Sequence, residues 1–435
     1  MKNEFKDKKV TIFGAGKSGL AVAKKLADLG AVVFVSEANS TLDMDVMRKL
    51  RDLGVAMELG GHTTKAIENA ELVIMSPGVH LDLPVLEHAR SKAIPIQSEI
   101  ELAYGFIAKP IIAVTGTNGK TTTTTLIGEM LKAEGKKAAV AGNIGNPLIE
   151  IDDSQLDYVV AEISSYQLES IDKFKPWISV ILNIQPDHLE RHHSMEEYIR
   201  QKSKIFMNQS GDDYIVYNME DPSVTAMVKN AKARLIGFSQ DRSEIITLPP
   251  EQIRLPGKHN LDNSLAAAQA AYLCGVKKDT VAEILKTFPG VEHRIEYVTS
   301  KNEIRFYNDS KGTNPDSTRV AIDTFGGKGI ILILGGREKG VSLEPLAKLV
   351  KEQVKAVVLI GEAAPKFEEA LRKAAFNKFY NLGFSLEEAV KKAFSLAEPG
   401  DIVLFSPACA SFDMFKNYEE RGKAFKTICL CLNIK

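Results

Sequence analysis

Apolar residues along this chain fall in short, nearly unbroken runs, each followed by a glycine, serine or asparagine and then a stretch of helical periodicity. Val10–Phe13, Val32–Val35 and Leu72–Met75 make a first set. A second comprises the run at Ile111–Thr115, with Ala138–Ala141, Tyr158–Ile163 and Ile178–Leu182. Ile304–Asn308, Ile330–Leu334, Ala356–Ile360, Phe379–Asn381 and Ile402–Phe405 make a third. Runs this short and this continuous predict strands buried on both faces, hence parallel sheets covered by helices. Helices are expected around Met195–Asn208 and Asn260–Leu273, and the turn-rich Phe288–Arg294 reads as a linker. The pattern therefore predicts an α/β protein of three domains. A Rossmann-like domain spans 1–97, a central P-loop ATPase-type parallel sheet 98–294, and a C-terminal Rossmann-like open parallel sheet 295–435.

Composition narrows this little. At 435 residues the chain has room for two or three cores, and a net charge of -1 offers no bulk attraction to nucleic acid or an anionic membrane. Cys274, Cys409, Cys429 and Cys431 lack metal-ligand spacing and disulfide density, which favours thiols in a reducing compartment. Cys409 has no evident base partner and reads as a small buried thiol. The apolar runs are strand-sized, so no signal peptide or membrane span is expected. A cytoplasmic monomer that neither binds nucleic acid nor inserts into membranes is the working expectation.

Two glycine loops carry the first chemistry. Gly14-Ala15-Gly16-Lys17-Ser18-Gly19 follows a strand and opens a helix, and Glu37 ends the next strand. Alone, that block would be assigned to NAD, or to a tight turn without a ligand. Ser76-Pro77-Gly78 follows a third strand, where α/β sheets place ligands. The second loop, Gly116-Thr117-Asn118-Gly119-Lys120-Thr121, is more specific. Its glycines let backbone N–H groups close on phosphates, Lys120 reaches the outer phosphates, and Thr121 offers a hydroxyl to Mg²⁺. The usual earlier glycine would fall at Val114, so the loop is a tighter variant entered through Thr115.

Other candidates stay ambiguous on spacing alone. Glu162, at a strand end, suits a metal or a helix cap. His188 beside Asp187 could be a metal ligand, an acid/base or a turn residue. His192 and His193 read as solvated loop residues, and Lys202 as one surface lysine among many. Asn260 and Asn263 share a helix face; capping explains one, and two amides facing a base or ribose explain both. In the third block, Asp309-Ser310-Lys311-Gly312-Thr313, Gly336-Arg337-Glu338-Lys339 and Ser406-Pro407-Ala408-Cys409-Ala410-Ser411 all follow strands, and their lysines and hydroxyls suit a small carboxylate-bearing acid.

Taken together, Thr115–Thr121, Glu162–Glu169, Asp187–His192 and Asp309–Asn314 resemble the Mur ligases, and Ser406–Asp413 resembles the D-glutamate-adding branch. The resemblance runs from Gly14 to Arg421. It implies ATP-dependent amide formation through an acyl phosphate, with UDP-N-acetylmuramoyl-L-alanine and D-glutamate as substrates. It assigns Gly116, Thr117, Asn118, Gly119, Lys120, Thr121 and Thr122 to the ATP phosphates, and Asn260, Asn263, Arg294 and Asp309 to the rest of ATP. Two Mg²⁺ ions are implied, held by Thr121, Glu162, His188 and Lys202, the lysine being carbamylated by CO₂. Lys120, Glu162, His188 and Lys202 become the catalytic set. Gly14, Gly16, Lys17, Ser18, Gly19, Glu37, Ser76, Gly78 and Asn143 would take the UDP-linked substrate in place of NAD. Lys311, Thr313, Lys339, Ser411 and Tyr418 would surround D-glutamate. Glu37 and Glu338 stand where the family commonly has Asp. A NAD-dependent oxidoreductase, a folate-directed ligase and a nucleotide-gated scaffold are the competing readings.

Overall fold

The computed structural model describes residues 4–240, 245–255, 257–326, 329–337 and 342–432. The chain divides into two compact units, Met1–Pro249 with Asp262–Leu285, and Pro250–Leu261 with Lys286–Lys435.

The first unit holds two sheets. In one, β1 (Lys9–Phe13), β2 (Val32–Glu37), β3 (Ala56–Leu59), β4 (Leu72–Met75) and β5 (Ile96–Ser98) pair in the order β3-β2-β1-β4-β5, all parallel. Strand order reverses between β1 and β4, and a ligand crevice opens at such a switch point. The other sheet joins β6 (Ile111–Thr115), β7 (Ala138–Gly142), β8 (Tyr158–Glu162), β9 (Ile178–Ile181), β10 (Tyr214–Asn218) and β11 (Arg234–Phe238). Its order is β11-β10-β9-β6-β8-β7, again all parallel. Every residue of β6 is buried, as expected of a strand covered on both faces.

The short helix Glu99–Tyr104 connects the two sheets, and it is anchored by acids. Glu101 accepts backbone N–H bonds from Asp172, Lys173 and Phe174 at 3.0, 2.8 and 2.9 Å. Glu99 accepts one from Ile149 at 2.9 Å. One continuous hydrophobic cluster runs from Val10 and Ile74 under the first sheet to Ala113, Val159 and Ile215 under the second.

In the second unit, β12 (Glu296–Lys301), β13 (Ile304–Asn308), β14 (Ile330–Gly335), β15 (Val354–Ile360), β16 (Phe379–Asn381) and β17 (Ile402–Phe405) pair as β12-β13-β17-β14-β15-β16. This sheet is mixed, which corrects the all-parallel expectation: β12 runs antiparallel to β13. The two joining residues, Asn302 and Glu303, both have positive φ (52° and 63°), the backbone of a tight hairpin turn. β12 is a half-exposed edge strand without a continuous apolar run, so periodicity overlooks it.

Other departures are local. The expected helix Met195–Asn208 stops at Ser203 and continues as a 3-10 turn, Lys204–Phe206. The helix expected from Asn260 begins at Lys258. No helix among the described residues is long and apolar enough to cross a membrane.

Candidate active site

β6 delivers the chain into Gly116–Gly119, and the helix Lys120–Ala133 starts immediately after. Gly119 caps that helix in the left-handed region, φ 85°, and a Cβ there would sit 2.0 Å from Asn263 Oδ1. Only glycine meets both conditions. The loop is braced from the segment after β9: Thr117 N donates to Asn183 O at 2.9 Å and Asn118 N to Asn183 Oδ1 at 2.8 Å.

Two lysines converge on this loop. Lys120 Nζ donates to the carbonyls of Gly116 and Thr117, both at 2.9 Å. Lys202 Nζ donates to the same Gly116 carbonyl at 2.9 Å. Lys202 is only 1% exposed, its Nζ 4.8 Å from the centre of the Tyr198 ring one helical turn earlier. This overturns its reading as a surface lysine. Burial first, and the Lys120 charge second, hold its pKa well below the ordinary lysine value.

Glu162 ends β8 beside β6, pairing with Val114, and is buried. Its Oε1 accepts from Asn143 Nδ2 at 2.7 Å, while Oε2 is buried without a hydrogen-bond partner among the described residues. A Ser164–Gln167 capping box then starts the helix Ser165–Leu168. Tyr166 Oη lies 2.7 Å from His188 Nδ1, and His188 Nε2 lies 3.4 Å from Asp187 Oδ2. His192 is buried, not solvated: its Nε2 lies 3.0 Å from Ser165 Oγ, and desolvation lowers its pKa. His193 is exposed as expected.

A cavity of about 550 Å³ opens at the β1/β4 switch point, lined by Gly14, Gly16, Lys17, Ser18, Ser76 and Gly78, with Glu37 at its wall. Gly19 lies behind the loop, where a Cβ would meet Gly14 O at 1.9 Å, so it serves packing. Ser76 Oγ donates to Gly14 O at 3.0 Å. The Glu37 carboxylate accepts from Ala15 N at 2.7 Å and from Asn39 N and Nδ2 at 2.9 and 2.8 Å. Lys17 Nζ reaches Gly145 O at 2.6 Å, in the loop that also carries Asn143.

In the second unit, Asp309 is fully buried. It accepts from Ser406 Oγ at 2.7 Å and Ile295 N at 3.2 Å, with Arg294 Nη1 3.9 Å away. Burial raises its pKa to about 6. Lys311 Nζ stands 5.9 Å from the Tyr418 ring centre, Ser411 is buried, and Thr313 is half-buried. Lys339 lies outside the described residues. Asn260 and Asn263 are buried in the helix Lys258–Leu273, neither at its cap. Cys409 is buried, as expected.

Three family models cover the chain: the Mur ligase MurD-like N-terminal domain over 8–98, the Mur ligase middle domain over 114–271, and the Mur ligase glutamate ligase domain over 293–409. The chain belongs to the Mur ligase family. Among curated Mur ligases, it is 44% identical to the UDP-N-acetylmuramoylalanine--D-glutamate ligase of Caldanaerobacter subterraneus subsp. tengcongensis, over 97% of this chain and 98% of that one. The enzyme of the same name from Clostridioides difficile is 40% identical over 97% and 98%. Among solved structures, UDP-N-acetylmuramate-alanine ligase MurC from Thermotoga maritima matches 97% of this chain and 99% of its own at TM-score 0.58 and 23% identity, a likeness of fold.

Two residues of this Mur ligase have no role that sequence reasoning assigns. Arg191 forks onto Glu169 (Nε to Oε1 2.7 Å, Nη2 to Oε2 2.6 Å) and also donates to Val79 O at 2.7 Å, on the rim of the switch-point cavity. Arg421 is fully buried and ties the loop after β13 to the loop after β17. It donates to Ser310 O at 2.8 Å and to Cys409 O and Ala410 O at 3.1 and 3.2 Å. No local pattern around either arginine marks it out from the other charged residues beside it.

Proposed function

We propose that the protein joins D-glutamate to UDP-N-acetylmuramoyl-L-alanine with ATP, as a cytoplasmic monomer making peptidoglycan precursor. Within that reading the three domains take 1–97 for the UDP-linked substrate, 98–294 for ATP and 295–435 for the amino acid. The observation that carries it is the convergence of Lys120 and Lys202 on Gly116 O, close to a Glu162 oxygen without a partner among the described residues. That puts the charge of Lys120 at the phosphate loop, a buried amine of lowered pKa on the same carbonyl, and an oxygen donor left open beside them, a set that suits a polyphosphate and its metal ions.

The acceptor's carboxylate oxygen bonds to the γ-phosphorus of ATP as the bond to ADP breaks, giving an acyl phosphate. The amine of D-glutamate then attacks the acyl carbon, and loss of phosphate and a proton leaves the amide. Lys120 and the backbone of Gly116–Thr122 hold and neutralise the phosphates. Asn260, Asn263, Arg294 and Asp309 hold the remainder of ATP. Lys311, Thr313, Lys339, Ser411 and Tyr418 orient D-glutamate. The cavity at Gly14–Ser18, with Glu37, Ser76 and Gly78, takes the UDP portion, and Asn143 touches the acceptor substrate.

The buried Glu162 Oε2 fits a hard cation, and Mg²⁺ sites need few protein oxygens when substrate phosphates supply others. Thr121, Glu162, His188 and Lys202 as its carbamate would hold two such ions, which would neutralise charge on the transferring phosphate. A lysine whose burial favours the neutral amine suits addition to CO₂, forming an N–C bond and releasing a proton.

Phosphate release from ATP by the purified protein should require both UDP-N-acetylmuramoyl-L-alanine and D-glutamate. Release with a folate and L-glutamate instead, or none with the cognate pair, would overturn the reading.

A further inference from the structure

His62 sits at the wall of the switch-point cavity and belongs to a three-residue chain that none of the roles above uses. Ser36 Oγ lies 2.6 Å from Glu58 Oε1 and 2.7 Å from His62 Nδ1. A serine hydroxyl has one proton, and an ionised carboxylate only accepts, so that proton goes to Glu58. Ser36 must then accept from His62, which places the imidazole proton on Nδ1. Ser36 is fully buried at the end of β2. Glu58 is held ionised by further bonds from Thr63, N at 3.0 Å and Oγ1 at 2.6 Å. The imidazole also lies 5.1 Å from the Phe13 ring, which fixes its plane.

Burial lowers the pKa of this imidazole from the usual 6.5, so near neutral pH the ring is uncharged, and its Nε2 carries a lone pair with no hydrogen-bond partner among the described residues. The neighbouring acid in the cavity is less open, because the Glu37 carboxylate already accepts three N–H bonds. Resting on the reading of this cavity as the UDP pocket, we propose that His62 is a specificity-determining residue: its Nε2 accepts a hydrogen bond from an N–H or O–H donor of the bound nucleoside. Uracil N3–H and the ribose hydroxyls are the donors that chemistry offers. The Glu58–Ser36 relay is the positioning element that fixes the tautomer.

Calorimetric titration with UDP tests this using two variants that mimic the ring's two nitrogens separately. His62→Asn keeps an amide near the Nδ1 position, able to bond Ser36, but presents no acceptor to the cavity. His62→Gln extends an amide oxygen to the Nε2 position and gives up the Ser36 bond. His62→Asn should bind UDP about fivefold to tenfold more weakly, the size of one neutral hydrogen bond, and His62→Gln should recover most of that loss. A purely structural role predicts the reverse order. 3-Methyluridine diphosphate and 2′-deoxyuridine diphosphate separate the donors: the analogue lacking the relevant one should lose affinity for the wild type and nothing further for His62→Asn. UDP binding unchanged in His62→Asn, or the reverse order of the two variants, overturns the inference while leaving the pocket's assignment intact. Failure of the wild type to bind UDP would overturn the pocket's assignment and the inference with it.

Discussion

The two glycine loops of the first unit share a plan and differ in how they meet negative charge. Both leave a buried parallel strand, both open a helix, and both contain a glycine that a side chain would displace from its packing. At Gly14–Gly19 the helix begins from Gly16 in extended conformation, and its lysine points out to Gly145 O. That loop offers backbone N–H groups and a helix dipole, enough to hold a diphosphate that does not react. At Gly116–Lys120 two lysine nitrogens donate to one carbonyl oxygen, and the fully buried one, Lys202, has its pKa held well below the ordinary lysine value. Lys120 brings its charge to a phosphate on which charge moves, and the neutral amine beside it is a nucleophile that the first loop lacks. On the proposed reading, the first loop holds its ligand and the second carries the reaction.

The largest effect should come from removing the feature that separates them. Lys202→Ala should lower turnover about 10³-fold, the scale seen when a group that stabilises transferring charge is lost. Added acetate or propionate should restore part of it, since the vacated space would admit a carboxylate. UDP affinity, which the proposed reading assigns to the other loop, should not change. Full turnover in the unrescued variant would break the comparison at its centre.

Next in size are the glycines. Gly119→Ala forces a Cβ into the left-handed region and onto Asn263, so stability should fall by about 1–2 kcal/mol and turnover about 100-fold as the phosphate loop shifts. Gly16 has φ -68°, and nothing lies within 4 Å of the place an added methyl would take. Gly16→Ala should therefore melt like the wild type, within about 0.5 kcal/mol, and lose about tenfold in UDP affinity through the methyl in the cavity. Thermal melts alongside UDP titration separate the two outcomes.

How much of this can be read in the sequence follows the distance between partners. Strands buried on both faces announce themselves by composition, so β1, β2, β4 and the central β6, β8 and β9 are legible, as are both loops and Glu162 at its strand end. The edge strands β3, β5, β11 and β12 are not, nor is β10 beside β11, since they carry too short or too mixed a pattern, whereas the edge strands β7 and β16 are legible. Lys202 looks like any helical surface lysine because its partner carbonyl is 86 residues away, and only the resemblance singles it out. His192 misleads for the same reason, its burial depending on Ser165 and Tyr198. Arg191 and Arg421 act across 112 and 111 residues, beyond what any local pattern encodes. The Glu58–Ser36–His62 chain spans less than 30 positions, yet it needs two adjacent strands and a following turn in register before it exists.

The smallest effect on turnover is expected at the joint between the loops. Glu99, in the helix connecting the two sheets, is 1% exposed, and burial lifts its pKa to about 7 from the usual 4.5. The unfolded chain releases this proton near pH 4.5, whereas the folded chain keeps it to about pH 7. Between those values the folded state binds more protons, so this group's contribution to stability falls as pH rises from 4.5 to 7 and is level above. Glu99→Gln retains the oxygen that accepts from Ile149 and removes the titration. It should be more stable than the wild type at about pH 8, by about 1–3 kcal/mol, and lose that advantage by about pH 5. UDP affinity and the Michaelis constant for ATP should both stay within about twofold, because the titrating group touches neither loop. A joint change in both constants would mean that the two loops communicate through this helix and cannot be treated as separate devices.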